Sequence, residues 1–95
     1  MNTGVMPLAR FRLGRIVSTP NALDHLTQAE ILRAIGRHQA GDWGDVSEND
    51  RQQNELALKQ GGRLWSVYHA ANGRKFWLIT EANRVSTVVL MPEDY

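Results

Sequence analysis

The chain has 95 residues, 42% of them apolar and 22% charged, the composition of one ordinary folded domain. Eleven Lys and Arg against ten Asp and Glu leave a net charge of +1, which removes the simplest argument for a nucleic-acid binder, a strongly basic domain. With no cysteine, disulfide scaffolds, zinc fingers, iron–sulfur sites and thiol nucleophiles are excluded.

Residues 1–9 contain Gly4 and Pro7 and no periodicity; they read as a flexible segment, leaving 10–95 as a single α+β domain. Met1–Pro7 has neither the basic end nor the apolar core of a signal peptide. No apolar run approaches the roughly 20 residues that span a bilayer, so the expectation is a cytoplasmic protein without a membrane partner. Residues 11–17 alternate as a short strand, with Gly14 marking a bulge. Ser18-Thr19-Pro20 is a hydroxyl cap followed by proline at a first helical position, opening a short turn of helix to Leu26. Thr27-Gln28-Ala29-Glu30 is a capping box; behind it Ile31, Leu32 and Ile35 form one apolar stripe of a helix that Gly41 ends. A second cap at Ser47 starts a polar helix over about 48–60, which offers Leu56, Ala57 and Leu58 for burial before Gly61-Gly62 stops it.

The last third reads as a three-stranded meander: Arg63–Ala70, Arg74–Thr80 and Val85–Met91, closed by Pro92. Asn72-Gly73 is a strong hairpin signal. As a two-residue loop it sets Tyr68 opposite Trp77, Val67 opposite Leu78 and His69 opposite Phe76. The expected architecture is β-α-α-β-β-β: an antiparallel sheet, the meander plus the N-terminal strand, packed with two helices, with an extra helical turn after the first strand. Both faces of the meander are apolar, which calls for a helix on each side, an oligomer or a partner.

Candidate chemistry is sparse. The stretch Asp42 to Asp50 has four acids; oxygen ligands this dense suit a divalent cation, but acids before a helix are stabilising in their own right, and neither a metal nor another cofactor is expected. Trp43, between Asp42 and Gly44, reads either as an anchor holding its loop on the sheet or as an exposed contact for a partner. Histidines 25, 38 and 69 lack metal-ligand spacing. Nine of the eleven basic residues are Arg, suited to planar anions; Arg10, Arg12 and Arg15 cluster near the start.

Residues 13–23, the run Gly41-Asp42-Trp43-Gly44-Asp45 and residues 83–95 resemble a group of small bacterial proteins carried on plasmids and other mobile elements. That resemblance implies an accessory role and brings no catalytic residues. In topology the chain is similar to the RelE/ParE toxins, some of which are ribosome-dependent ribonucleases. This likeness would ask Arg63, His69, Lys75 and Arg84, with Tyr95, to serve catalysis. The reading preferred on the residues is a non-catalytic module that binds a protein partner or a second copy. Asp42, Trp43 and Asp45 would join Tyr68 and Trp77 in one contact surface, with nucleic acid a less favoured partner.

Overall fold

A computed structural model describes residues 9–95; the expected flexible stretch 1–9 lies, up to residue 8, outside them. In chain order the elements are β1 (Arg15–Ser18), α1 (Pro20–His25), α2 (Gln28–Gln39), α3 (Glu48–Gln60), β2 (Leu64–His69), β3 (Lys75–Thr80) and β4 (Ser86–Leu90), followed by a 3-10 turn, Pro92–Asp94. The class is α+β, with three helices, α1 being the extra turn after the first strand. Local chemistry sets the helix starts. Thr19 Oγ1 accepts the Ala22 N–H at 3.0 Å, Thr27 and Glu30 close their reciprocal box, and Ser47 Oγ takes the Asp50 N–H.

The sheet order is β1-β4-β3-β2. The meander is antiparallel, but β1 lies parallel to β4, so the sheet is mixed and the expected antiparallel sheet is corrected. Tight hairpins force β3 against both its neighbours. β1 reaches the meander only through three helices, and such a crossover permits a parallel neighbour. The strand also starts at Arg15, not at residue 11. Gly14 has φ 65°, and a Cβ there would lie 2.3 Å from the Val85 carbonyl carbon, so the chain turns where only glycine fits. Phe11 is thereby released to pack on the rings of His38 and Trp43.

The β2–β3 hairpin is displaced by one residue from the expected register. The Ala70 N–H closes on Arg74 O at 2.8 Å and the Gly73 N–H on Ala70 O at 3.0 Å, a three-residue loop with Gly73 at φ 87°. Only glycine is asked for a positive φ, and Asn72 uses its amide instead to bind the His25 carbonyl. Tyr68 therefore faces Phe76, Val67 faces Trp77 and His69 faces Lys75. Since a slip of one inverts the side-chain set, Tyr68 and Trp77 lie on opposite faces of the sheet.

The inner face carries Leu64, Ser66, Tyr68, Phe76, Leu78, Thr80, Thr87 and Val89, all buried. Ala22, Leu26 and Ala34, with Ile31 and Ile35, pack against this set from α1 and α2. The third helix behaves differently from expectation. Leu56 stays exposed and Asn54 is the residue α3 buries. Its amide donates to Trp65 O at 2.8 Å and accepts from Trp65 N at 3.0 Å. α3 thus lies along the β2 edge, where a peptide-like side chain satisfies backbone groups that leucine would leave unpaired. Next along that edge, the Val67 N–H donates to Trp43 O and the Asp45 N–H to Val67 O.

A hydrogen-bonded chain crosses the interior beneath α2. His38, fully buried, touches Ser66 Oγ and, at 2.8 Å, Thr80 Oγ1. Thr80 Oγ1 lies 2.7 Å from Thr87 Oγ1, which donates to Leu13 O. A hydroxyl has one proton, so the direction is fixed. Thr87 spends its proton on Leu13 and accepts from Thr80, and Thr80 accepts from His38 Nε2–H. In the neutral imidazole that burial favours, His38 Nδ1 then accepts from the Ser66 hydroxyl.

Candidate functional site

The Asp42–Asp45 loop is built into the fold. Trp43 is only 3% exposed. It stacks on Phe11 with centroids 6.1 Å apart, meets the His38 ring edge-on, and donates its indole N–H to Glu55 Oε2 at 3.0 Å. Arg10 grips the same Glu55 carboxylate through two bonds, and these donors hold it below the usual range. The anchor reading of Trp43 therefore describes its position, and an exposed contact there is corrected. Asp42 is engaged too. Arg37 binds both its oxygens, which lowers its carboxyl, while its carbonyl accepts the Tyr68 hydroxyl at 2.6 Å. Burial pushes the Tyr68 phenol up. Among the described residues, no three His, Asp or Glu side chains gather as a metal site.

The four side chains that the toxin likeness would require fall into three places, with only His69 and Lys75 together. Arg84, at φ 60°, points its guanidinium into backbone carbonyls. It binds Glu81 O and Ala82 O in its own turn, Gly62 O, and Ala57 O near the end of α3. It clamps that helix end to the β3–β4 turn. His69 and Lys75 are direct cross-strand neighbours at the hairpin end of the sheet. Asp45 serves both, at 2.8 Å from His69 Nε2 and 3.8 Å from Lys75 Nζ, and the His69 hydrogen bond foremost keeps its carboxyl low. Arg63 is at the other end of β2, bound to Tyr95 Oη at 3.0 Å and Glu81 at 3.4 Å.

No family model, curated protein or solved structure matches this chain. What the geometry itself offers is the outer face of the sheet, turned away from α1 and α2. The register arranges it in rows: Arg63, Glu81, Ser86 and Arg15; then Trp65, Ile79, Val88 and Val17; then Val67, Trp77 and Leu90; then His69 and Lys75. Arg63, Trp65, Trp77, Ile79 and Tyr95 line a cavity of about 320 Å³. Trp65 and Trp77 meet edge to face at 5.2 Å, Trp77 and Tyr95 at 5.6 Å. The Arg63 guanidinium stands 5.8 Å from the Tyr95 ring centre, and Tyr95 is 71% exposed. Edge-to-face rings hold one another at fixed angles, so the cavity has walls before anything enters it.

Of the five residues expected to share one contact surface, Trp77 alone lines this cavity. Asp45 borders the same face at its hairpin end, while Trp43, Tyr68 and Asp42 are bound up on the inner side or in the loop. Trp65 was not singled out by the sequence, and Tyr95 only through the toxin likeness. The signal was the alternation Arg63, Trp65, Val67, His69, which joins Trp77 on one face once the hairpin loop holds three residues.

Proposed function

We propose that the protein is a non-catalytic binding module that takes a protein partner on the outer face of its sheet. Trp65, Trp77 and Tyr95 are the anchors and Arg63 stands at the rim. The observation that supports this reading is the aromatic-walled cavity of about 320 Å³ beside the exposed Tyr95. Trp, Tyr and Arg are the residue types that dominate interface energetics, and they do so in pre-shaped pockets. A volume near the lower end for ligand sites suits one or two apolar side chains of a partner. The resemblance to plasmid-carried proteins points to an accessory role toward a host protein.

The test is affinity capture with purified protein, followed by a titration of the captured partner. Tyr95→Ala and Trp77→Ala are each expected to weaken binding by about thirtyfold or more, the scale of a hot spot. Leu32→Ala, on α2, is expected to leave it unchanged. Equal binding by all three folded variants would exclude this face.

A ribonuclease reading retains one observation in its favour, the hydrogen bond that orients His69 on Asp45 opposite Lys75. It predicts growth arrest on induced expression, relieved by His69→Ala in a variant that still folds. Unimpaired growth with the wild-type protein counts against it.

A further inference from the structure

We infer that the protein forms a two-fold dimer by pairing β1 with β1 of a second copy, antiparallel, with Val17 opposite the partner's Val17. This concerns the edge of the sheet and stands apart from whatever its outer face binds.

The two edges of the sheet are treated differently. The β2 edge is closed: Asn54 satisfies Trp65, and the 43–45 segment satisfies Val67. The β1 edge has no such cover among the described residues. Arg15 N and Thr19 N donate inward, to Val85 O and Val89 O. Alternation along a parallel ladder turns Val17 inward as well. The peptide groups of Ile16 and Ser18 therefore point outward, and no partner for them is found within the described part of the chain. The strand's two aliphatic side chains are also half in solvent, Ile16 at 44% and Val17 at 45% exposure. An uncovered edge with apolar side chains is a template for another strand.

The occupant follows from self-complementarity. An antiparallel pair exchanges hydrogen bonds only between residues whose peptide groups both point across the gap. For two copies of β1 that matches Ile16 with the partner's Ser18, and Ser18 with the partner's Ile16, through about four backbone hydrogen bonds. Val17 then meets the partner's Val17 as a close, non-hydrogen-bonded pair. Arg15 falls opposite the partner's Thr19, so the two arginines do not oppose each other. The two-fold axis is perpendicular to the sheet, and the outer faces of both copies lie on one side. The row Trp65, Ile79, Val88, Val17 continues without interruption into the partner's Val17, Val88, Ile79 and Trp65. A foreign strand gains the same hydrogen bonds, but a second copy brings its own apolar row to the same face in register. The same patch serves both copies, which closes the assembly at two.

Sedimentation measured from about 5 to 500 μM, the range in which a small interface reveals itself, is expected to show a monomer–dimer equilibrium. Val17→Lys, at an already exposed position, is expected to give a folded monomer, since two like charges would meet across the axis. Mixing it with Val17→Glu is expected to restore the dimer. The chain has no cysteine, so single replacements report cleanly. Val17→Cys is expected to form an inter-chain disulfide at least about tenfold faster than Leu32→Cys, because directly opposed strand residues lie within disulfide reach. A monomer throughout the range overturns the inference. So does a dimer that Val17→Lys leaves intact, or equal cross-linking of Val17→Cys and Leu32→Cys.

Discussion

Replacing Trp43 by alanine is expected to destabilise the fold by roughly 3–5 kcal/mol, the range for a buried aromatic truncated to a methyl group. A domain of this size has a total stability of about 5–14 kcal/mol, so the variant will stand close to unfolding at 37 °C. The size of the effect follows from what the ring joins. It lies between Phe11 of the entering segment, His38 near the end of α2, and Glu55 of α3, three parts of the chain that share no secondary structure. Its own backbone carbonyl meanwhile closes the β2 edge at Val67. Trp43→Phe separates the two contributions. It keeps most of the ring and loses the N–H to Glu55, a bond to a charged acceptor whose removal costs roughly 1–3 kcal/mol. Urea unfolding of the three proteins, with slopes compared, is the measurement. A Trp43→Ala midpoint equal to that of the wild type would show that the ring is not part of the core.

The same residue shows where sequence reading succeeds and stops. Thr19, Thr27 and Ser47 were legible as helix caps because each acts on an N–H a few residues away. The meander was legible because alternation and an Asn-Gly turn are local. Trp43 was ambiguous because Phe11 and Glu55, the groups that bury it, lie 32 and 12 residues away and are brought in by tertiary packing alone. The direction of β1 was unreadable for a related reason: nothing in Arg15–Ser18 distinguishes a parallel from an antiparallel neighbour. The hairpin failed more subtly. Asn72-Gly73 serves a two-residue or a three-residue loop, and the choice moves Tyr68 from the outer face to the inner one. One residue of register thus decided most of the candidate surface. Asn54 and Arg84 lay beyond any propensity argument. Each is a polar side chain that completes the hydrogen bonding of distant backbone, and such a role has no local pattern.

Stability is expected to fall by about 3 kcal/mol as the pH drops from about 6.5 to about 4, through His38 alone. Burial, with the charge of Arg84 second, lowers its pKa from 6.5 to about 4. The unfolded chain binds the proton more readily than the folded one. The stabilisation is therefore complete above 6.5, declines as the pH falls through the interval, and changes no further below the folded value. Two and a half units at 1.36 kcal/mol each set the scale of about 3 kcal/mol. The hydrogen-bond chain supplies a structural reason beyond desolvation. A protonated ring must donate from both nitrogens, so Ser66 would have to reverse its hydroxyl and give up donation to Nδ1. The hydrogen-bonded carboxylates, Glu55 and Asp42 among them, are also shifted down, by the donors that bind them. Their stabilisation is present above the ordinary carboxylate range and lost below it, so their window opens where that of His38 closes. Urea midpoints at half-unit steps from pH 7.5 to 4.5 isolate the histidine. His38→Gln, which keeps an amide in the chain and does not titrate, is expected to be less stable at neutral pH and to lose most of the slope. A wild-type protein equally stable at pH 7 and pH 5 would mean that the imidazole accepts its proton without breaking the chain, and that the interior beneath α2 is open to water.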